Sequence, residues 1–137
     1  MSNKITGRFL GGKKVELKHE LSGATIVTSA PLDNQGDGSS FSPTDLVAGS
    51  LGACMMTVMA IVADRDGVDL SGMRMEVEKQ MKSNPRRIGA LPLTIHLPAN
   101  LEVVYREKLE RSARTCPVHH SLLPEIEVAL QFCYDLP

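Results

Sequence analysis

The longest uncharged stretch of the chain, residues 46–63, constrains the fold more than any other feature. Its N-terminal side has the residues of a helix start. Ser42 can accept hydrogen bonds from free amides, Pro43 suits the first helical position, and Asp45 follows the cap by three residues. Apolar or small residues occupy every face, which is typical of a buried helix. The stretch therefore predicts a central buried helix that ends at the polar run 64–67.

A membrane span is the first alternative for this helix, since eighteen uncharged residues just reach the length that a bilayer requires. Four small or polar residues lower its hydrophobicity: Gly49, Ser50, Gly52 and Thr57. The rest of the sequence has an ordinary mixture of charged and apolar residues, and no apolar segment near the first residues indicates a signal peptide. We therefore expect no membrane association.

Composition excludes several classes of protein. A length of 137 residues predicts one domain, residues 1–137, with its own core. A net charge of −1, no basic run, no Trp and 4% aromatic residues argue against nucleic-acid binding. Three cysteines are an odd number, which does not suit a disulfide framework, so a reducing, cytoplasmic location is expected.

The remaining segments predict more strands than helices. A Gly11-Gly12 pair favours a hairpin between the first two strands, and Pro92 favours an edge position or a bulge for a later one. The strands are predicted at 5–10, 15–19, 24–30, 73–78, 91–97 and 126–132, with a helix at 101–114 and a short helical turn near residue 116. This order predicts an α+β fold with largely antiparallel sheets.

A long helix that is apolar all round is difficult to bury behind one sheet in a chain of this size. A second copy of the chain would supply the missing cover, with two such helices packed through Gly49, Ser50, Gly52 and Ala53. We therefore expect an obligate homodimer.

Two thiols have the positions of reactive groups. Cys54 lies in the middle of the apolar helix, where a small core residue is the simpler interpretation. Cys116 follows Thr115, which we expect to cap a short helix. A thiol at a helix N-terminus has a lowered pKa, and His119 and His120 follow at helical spacing. An incidental cysteine at a helix boundary remains the alternative for Cys116.

The segment from Ser42 to Cys54, SPTDLVAGSLGAC, together with Cys116-Pro117-Val118, resembles the OsmC/Ohr family (osmotically inducible protein C and organic hydroperoxide resistance protein). The similarity extends over essentially the whole chain. It implies an intertwined homodimer in which antiparallel sheets wrap around long central helices, with active sites at the subunit interface. It also implies that Cys54 is the peroxidatic cysteine and Cys116 the resolving cysteine.

The activity that this resemblance implies is reduction of organic hydroperoxides in oxidative-stress defence. A Cys54 sulfenic acid would condense with Cys116 to a disulfide, and a dithiol reductant of the lipoyl type, which the Ohr resemblance implies, would reduce that disulfide. No cofactor is expected. Cys133 matches neither motif and is interpreted as structural.

Two departures indicate a divergent OsmC-like subgroup. The Ohr branch has a glutamate directly after the motif proline, which holds an arginine against the thiolate; here that position is Thr44, followed by Asp45. The arginine comes from the N-terminal hairpin region in the family, and the candidates here are Arg8, Lys13 and Lys14. Lysine lacks the planar fork of arginine.

The methionines near Cys54 suggest the substrate class. Met55, Met56 and Met59 can form an adaptable apolar pocket, with His119 as a further candidate, which favours an alkyl hydroperoxide over hydrogen peroxide. Core packing is the alternative for at least two of the three methionines.

Three other functions remain open. A zinc site formed by Cys54, Cys116, His119 and His120 has unfavourable spacing, so no metal is expected. A cysteine hydrolase lacks a visible group to orient either histidine. The main alternative is a catalytically weak or inactive OsmC-fold module that binds a small apolar ligand.

Overall fold

Residues 1–46 are one of the two compact units into which the chain divides, in a computed structural model that describes all 137 residues. Strands β1 (Ile5–Gly11), β2 (Lys14–His19) and β3 (Thr25–Ser29) form an antiparallel sheet in that order. Gly12 and Lys13 connect β1 to β2, both with φ of 60°. Two consecutive residues with positive φ form the mirror-image turn that matches strand twist, so the predicted hairpin is confirmed.

One side of this sheet, which we call the apolar face, consists of Ile5, Phe9, Val15, Leu17 and Ile26. The register places them on the same side, because Phe9 pairs with Val15 and Leu17 pairs with Ile26. Ile5, Phe9 and Ile26 keep 64%, 70% and 48% of their surface exposed. The apolar face is therefore largely open to solvent in a single chain.

A closed loop, residues 30–41, connects β3 to the first helix and contains a 3₁₀ turn at Leu32–Asn34. Its two ends are held together by hydrogen bonds. The Ser29 amide donates to the Phe41 carbonyl at 3.0 Å, and the Ser40 amide donates to Ser29 Oγ at 2.9 Å. Ser40 Oγ donates in turn to the Val27 carbonyl at 2.8 Å.

Helix α1 (Pro43–Arg65) begins where the sequence predicts. The Asp45 amide donates to Ser42 Oγ at 3.1 Å, and the Ser42 amide donates to the Asp45 carboxylate at 2.8 Å. This reciprocal pair is a capping box with aspartate in place of glutamate. The helix ends before Gly67, whose φ of 66° allows the chain to turn away, as predicted.

The second unit, residues 47–137, contains the remaining elements. Strands β4 (Arg74–Val77), β7 (Leu93–Pro98) and β8 (Leu130–Leu136) form one sheet, and β5 (Gln80–Lys82) and β6 (Arg87–Ala90) form a hairpin. Helices α2 (Val103–Ala113) and α3 (Pro117–Ser121) lie in the connection between β7 and β8.

The prediction of largely antiparallel sheets is confirmed, since four of the five strand pairs are antiparallel. Only β7 and β8 pair in parallel, and the helical connection carries the chain back to the same end of the sheet. Two other predictions for the second sheet are wrong. β7 is the central strand rather than an edge, because Pro92 precedes it and removes no ladder hydrogen bond. The last strand begins at Leu130, although Ile126 and Val128 also pack against the core as predicted.

The core of residues 47–137 lies between α1, α2 and the β4–β7–β8 sheet. Its largest fully buried apolar side chains are Leu51, Met55, Met59, Leu91, Leu93, Ile95, Leu97 and Leu109. Val104 on α2 lies outside this core and is 79% exposed.

α1 is only partly buried, in contrast to the prediction of a helix buried on all sides. By length and composition it is apolar enough to cross a membrane, a property that it shares with the core helices of soluble proteins, and 33% of its most apolar window is buried. Exposed residues recur at every third or fourth position of α1 and therefore lie on one face of the helix. We call these residues the outer stripe: Ser50, Ala53, Thr57 and Ile61. The difference arises because one chain places a sheet against only one side of the helix.

Candidate active site

Cys54 lies on α1 at the border between its buried and exposed faces. Leu51 and Met55 on one side are completely buried, whereas Ala53 and Thr57 on the other side are exposed. The Cys54 side chain is accordingly half-buried. Its thiol is thus held by a rigid core helix and is still accessible from outside.

Cys116 is fully buried and begins α3. The prediction that Thr115 caps this helix is wrong, because the cap is Cys116 itself. Its Sγ accepts a hydrogen bond from the His119 amide at 3.5 Å, and the Val118 amide is near enough to act on the pKa of the thiol. Pro117 follows at the first helical position, where its missing N–H is not needed.

The structure brings the two thiols together. Cys54 and Cys116 are both free, and Cys54 packs against the core cluster that contains Cys116, close enough to act on the pKa of the Cys116 thiol. Burial raises the pKa of the Cys116 thiol, and the adjacent Cys54 sulfur raises it further. The expectation of a lowered pKa is therefore wrong: the amides of His119 and Val118 do lower it, but burial and the neighbouring sulfur outweigh them.

The histidines after Cys116 differ in exposure. His119 is half-buried, and His120 is exposed and stacks on it with the ring centres 6.2 Å apart. Arg111 and Arg114 are exposed, and the Arg114 guanidinium lies over the Phe132 ring at 5.9 Å. A pocket role for His119 stays a prediction.

The three methionines near Cys54 also differ in burial. Met55 and Met59 are completely buried within the core cluster, and Met56 is half-buried against it. These positions agree with core packing, which was the alternative for two of the three residues. A pocket formed by Met55 and Met59 stays a prediction.

The basic candidates of the first unit have partners within that unit. Arg8 Nη2 lies 3.4 Å from Glu16 Oε1, Lys13 Nζ donates to the Gln35 carbonyl at 2.6 Å, and Lys14 Nζ lies 2.6 Å from the Asp37 carboxylate. The Lys14 hydrogen bond holds the pKa of Asp37 well below its usual range. The role of these three residues toward a thiolate stays a prediction.

Thr44 and Asp45 belong to the start of α1. Thr44 Oγ1 is 3.2 Å from Ser42 Oγ, and Asp45 completes the capping box with Ser42. The Asp45 carboxylate thus contributes to the helix start. Its proposed role in orienting a basic residue stays a prediction.

A second polar cluster, which the sequence analysis missed, lies on the β4–β7–β8 sheet. His96 Nδ1 is 2.9 Å from the Asp135 carboxylate, its Nε2 is 3.5 Å from Glu76 Oε1, and Cys133 is its register partner on β8. The alternation of Leu93, Ile95 and Leu97 with polar residues was the available signal. No group of three or more His, Cys, Asp or Glu side chains in the chain is arranged to hold a metal ion.

Residues 36–131 match the profile of the family described as OsmC-like protein, which is more than half of the chain. The chain belongs to the OsmC-like family. The match includes both Cys54 and Cys116 and extends across the boundary between the two units. No curated protein matches the chain.

Solved structures of OsmC and Ohr proteins share the fold. A protein from Psychrobacter arcticus, provisionally named an osmotic stress induced and detoxification response protein, is 36% identical, with a TM-score of 0.88 over 96% of this chain and 95% of that one. An organic hydroperoxide resistance protein OsmC from Legionella pneumophila is 19% identical, with a TM-score of 0.77 over 97% of both chains. OhrB of Bacillus subtilis, an organic hydroperoxide resistance protein, is 18% identical, with a TM-score of 0.70 over 96% and 98%.

Proposed function

We propose that this OsmC-like protein is a thiol-dependent peroxidase that reduces organic hydroperoxides, with Cys54 as the peroxidatic and Cys116 as the resolving cysteine. One observation carries the proposal: a half-exposed thiol on a rigid helix packs against the core cluster that contains a second, fully buried thiol. Family members named organic hydroperoxide resistance proteins support the reaction class.

The difference in burial supports Cys54 as the thiol that takes part in the first step. A hydroperoxide can reach the half-buried Cys54 sulfur, whereas Cys116 offers no surface. The Cys54 thiolate attacks the terminal oxygen of the peroxide, the O–O bond breaks, and the alkoxide takes a proton and leaves as the alcohol. Cys54 becomes a sulfenic acid.

Cys116 then completes the oxidation of the protein. Its sulfur loses a proton, attacks the Cys54 sulfur and displaces hydroxide, which leaves as water, so that an S–S bond replaces the S–O bond. Cys116 keeps its proton until this stage, since burial and the Cys54 sulfur raise its pKa. The packing of Cys54 against the cluster that contains Cys116 supports a condensation without a large rearrangement of the chain.

An external dithiol of the lipoyl type closes the cycle by reducing the Cys54–Cys116 disulfide through a mixed disulfide. A cytoplasmic location is part of the proposal, because a reducing compartment supplies dithiols and keeps all three cysteines of this chain free. No cofactor takes part.

The active assembly that we propose is a homodimer. The outer stripe of α1 and the apolar face of the first sheet are both exposed in the single chain, and Ile61 and Phe9 keep 47% and 70% of their surface. Exposed apolar surface on each unit supports a protein–protein contact. A second copy would cover the outer stripe beside Cys54 and so place each active site at the subunit interface.

The substrate preference follows from the surroundings of Cys54. Met55, Ala53 and Val58 are its neighbours on α1, and none carries a charge. An alkyl chain gains about 0.8 kcal/mol for each buried methylene, which hydrogen peroxide cannot gain. We expect faster reaction with cumene hydroperoxide than with hydrogen peroxide; equal rates would remove the basis for an organic preference.

Thiol stoichiometry tests the reaction. The reduced protein is mixed with one equivalent of cumene hydroperoxide, with Cys54→Ser, Cys116→Ser and Cys133→Ser in parallel. We expect two thiols to be lost in the wild-type protein and in Cys133→Ser, none in Cys54→Ser, and a trapped sulfenic acid in Cys116→Ser. Persistence of all three thiols on a timescale of minutes would refute the peroxidase.

The second candidate function is a weakly active or inactive module that binds a small apolar ligand. Thr44 favours it, since this residue stands where the resemblance implies a glutamate, and the neighbouring Asp45 carboxylate belongs to the capping box. This function predicts no peroxide consumption and no Cys54–Cys116 disulfide.

A further inference from the structure

Burial and hydrogen bonding distinguish the two sulfurs of the proposed disulfide. We infer that the reductant attacks Cys54 and that Cys116 leaves as a thiolate held by the backbone amides of Val118 and His119. This inference rests on the proposed function, because it concerns the disulfide that the peroxidase cycle forms. It assigns a direction to the reductive step.

Access determines which sulfur is attacked. Thiolate attack on a disulfide proceeds in line with the S–S bond, so the incoming sulfur must reach the far side of the sulfur that it attacks. Cys116 is completely buried within its own chain, and a further copy of the chain can only add to that burial. Cys54 is half-buried at the edge of the outer stripe, so its sulfur is the one that a dithiol can reach.

The leaving sulfur must take a negative charge in a buried place, and this charge needs hydrogen-bond donors. A backbone amide supplies one at Cys116, since the His119 N–H donates to Sγ at 3.5 Å, and the Val118 N–H is near enough to act on the thiol. Burial raises the pKa of the Cys116 thiol, and these two amides oppose that effect. The adjacent Cys54 sulfur carries no charge while it is in the mixed disulfide, so its opposing effect on that pKa is absent at this stage.

The electrons balance in two exchanges. The first thiolate of the dithiol forms a bond to Cys54 Sγ, and the Cys54–Cys116 bond breaks toward Cys116. The second thiolate of the reductant then attacks its own sulfur in the mixed disulfide and releases Cys54. The reductant leaves as an intramolecular disulfide, and both protein thiols regain protons from solvent.

Adduct mapping tests the inference. The disulfide is formed with diamide rather than with peroxide, so the test does not depend on peroxidase activity. The oxidised Cys133→Ser protein is treated briefly with β-mercaptoethanol, quenched in acid, denatured and alkylated with N-ethylmaleimide. We expect mass spectrometry to find the mercaptoethanol adduct on Cys54 and maleimide on Cys116, with at least about a tenfold excess over the reverse pattern.

Each other outcome has a separate meaning. An adduct on Cys116, or equal adducts on both cysteines, overturns the inference and leaves the peroxidase intact. A disulfide that diamide forms and cumene hydroperoxide does not would refute the peroxidase alone. Failure of both oxidants to form the disulfide overturns both proposals.

A backbone variant tests the amide contribution. His119→Pro removes the N–H that donates to Cys116 Sγ, and His119→Ala removes the same side chain and keeps the N–H. Loss of one donor makes Cys116 a poorer leaving group, so we expect His119→Pro to be reduced about threefold more slowly than His119→Ala. Equal rates in two folded variants would overturn the role of this amide, and adduct mapping in the Cys133→Ser protein decides the site of attack if His119→Pro does not fold.

Discussion

The two units of the chain differ in the kind of side chain that they bury. Every fully buried large apolar side chain belongs to residues 47–137, whereas the buried side chains of residues 1–46 are Thr28, Ser29 and Ser42. The first unit is held by strand ladders and serine hydrogen bonds and leaves its apolar face open. The comparison teaches that one unit has its own core and both proposed catalytic thiols, while the other leaves much of its apolar surface exposed.

The largest expected effect is the loss of stability caused by a substitution in the core of the second unit. Leu51→Ala removes a completely buried side chain from α1 and should lower the free energy of unfolding by about 2–5 kcal/mol. The same substitution at Leu21, which is 80% exposed in the first unit, should change it by no more than about 0.5 kcal/mol. Urea unfolding measures both, and similar losses would contradict the division between the units.

The apolar face should matter for assembly. Phe9→Ser removes an aromatic ring that is 70% exposed in one chain, and burial of such a ring contributes about 1.5–3 kcal/mol. If a second copy covers it, the dissociation constant of the dimer rises by at least about tenfold. Val27→Ser is the control, since Val27 pairs with Glu16 on the opposite face. Analytical ultracentrifugation compares them; equal dissociation constants would show that the apolar face is not the contact.

The thiol pair gives a pH dependence that belongs only to the second unit. Since the pKa of Cys116 is raised, its thiolate fraction increases about tenfold per pH unit below that pKa. The rate at which a preformed Cys54 sulfenic acid closes to the disulfide should increase by the same factor, measured by rapid acid quench and mass spectrometry. A rate that is flat from weakly acidic to weakly alkaline pH would contradict rate control by deprotonation of Cys116.

The smallest effect concerns the link between α1 and α2. Lys108 Nζ and Tyr105 OH lie 2.7 and 2.9 Å from the Asp66 carboxylate and lower its pKa. Because the pKa of this carboxyl group is lowered in the folded chain, the interaction stabilises the fold at pH values above the ordinary pKa of aspartate. This stabilisation is lost as pH falls through the pKa of the folded state. Asp66→Asn should therefore lower Tm slightly at neutral pH, by less than Leu51→Ala, because the site is exposed. In strong acid the difference in Tm between Asp66→Asn and the wild-type protein should vanish. A difference in Tm that is the same at every pH would show that the interaction of Asp66 with Lys108 and Tyr105 is not its cause.

Local features of the fold were predictable from the sequence. The start of α1 is determined by Ser42, Pro43 and Asp45, which lie within a few residues of one another. The β1–β2 turn is determined by neighbouring residues with positive φ angles. Both features depend on residues within about one turn of the chain, so the residue types and their spacing are enough to predict them.

Long-range features were not predictable in the same way. The parallel pairing of β7 with β8 joins strands that are separated by two helices, and its register is set by packing rather than by local pattern. The raised pKa of Cys116 likewise depends on burial by residues distant in sequence, so the local argument from a helix N-terminus had the wrong sign. The pairing of Cys54 with Cys116 came from family resemblance, since sixty-two positions separate them.

The loop at 30–41 has a practical consequence for protein engineering. Because Ser29, Ser40 and Phe41 pin its two ends to each other, the start of α1 does not depend on the length of the chain between them. A doubling of such a loop costs only about 0.6 kcal/mol in closure entropy. The exposed stretch around Asp33 and Asn34 is therefore the place at which an epitope, a fluorophore-labelling peptide or a surface-attachment tag can be inserted with the least disturbance to the thiol-bearing helix.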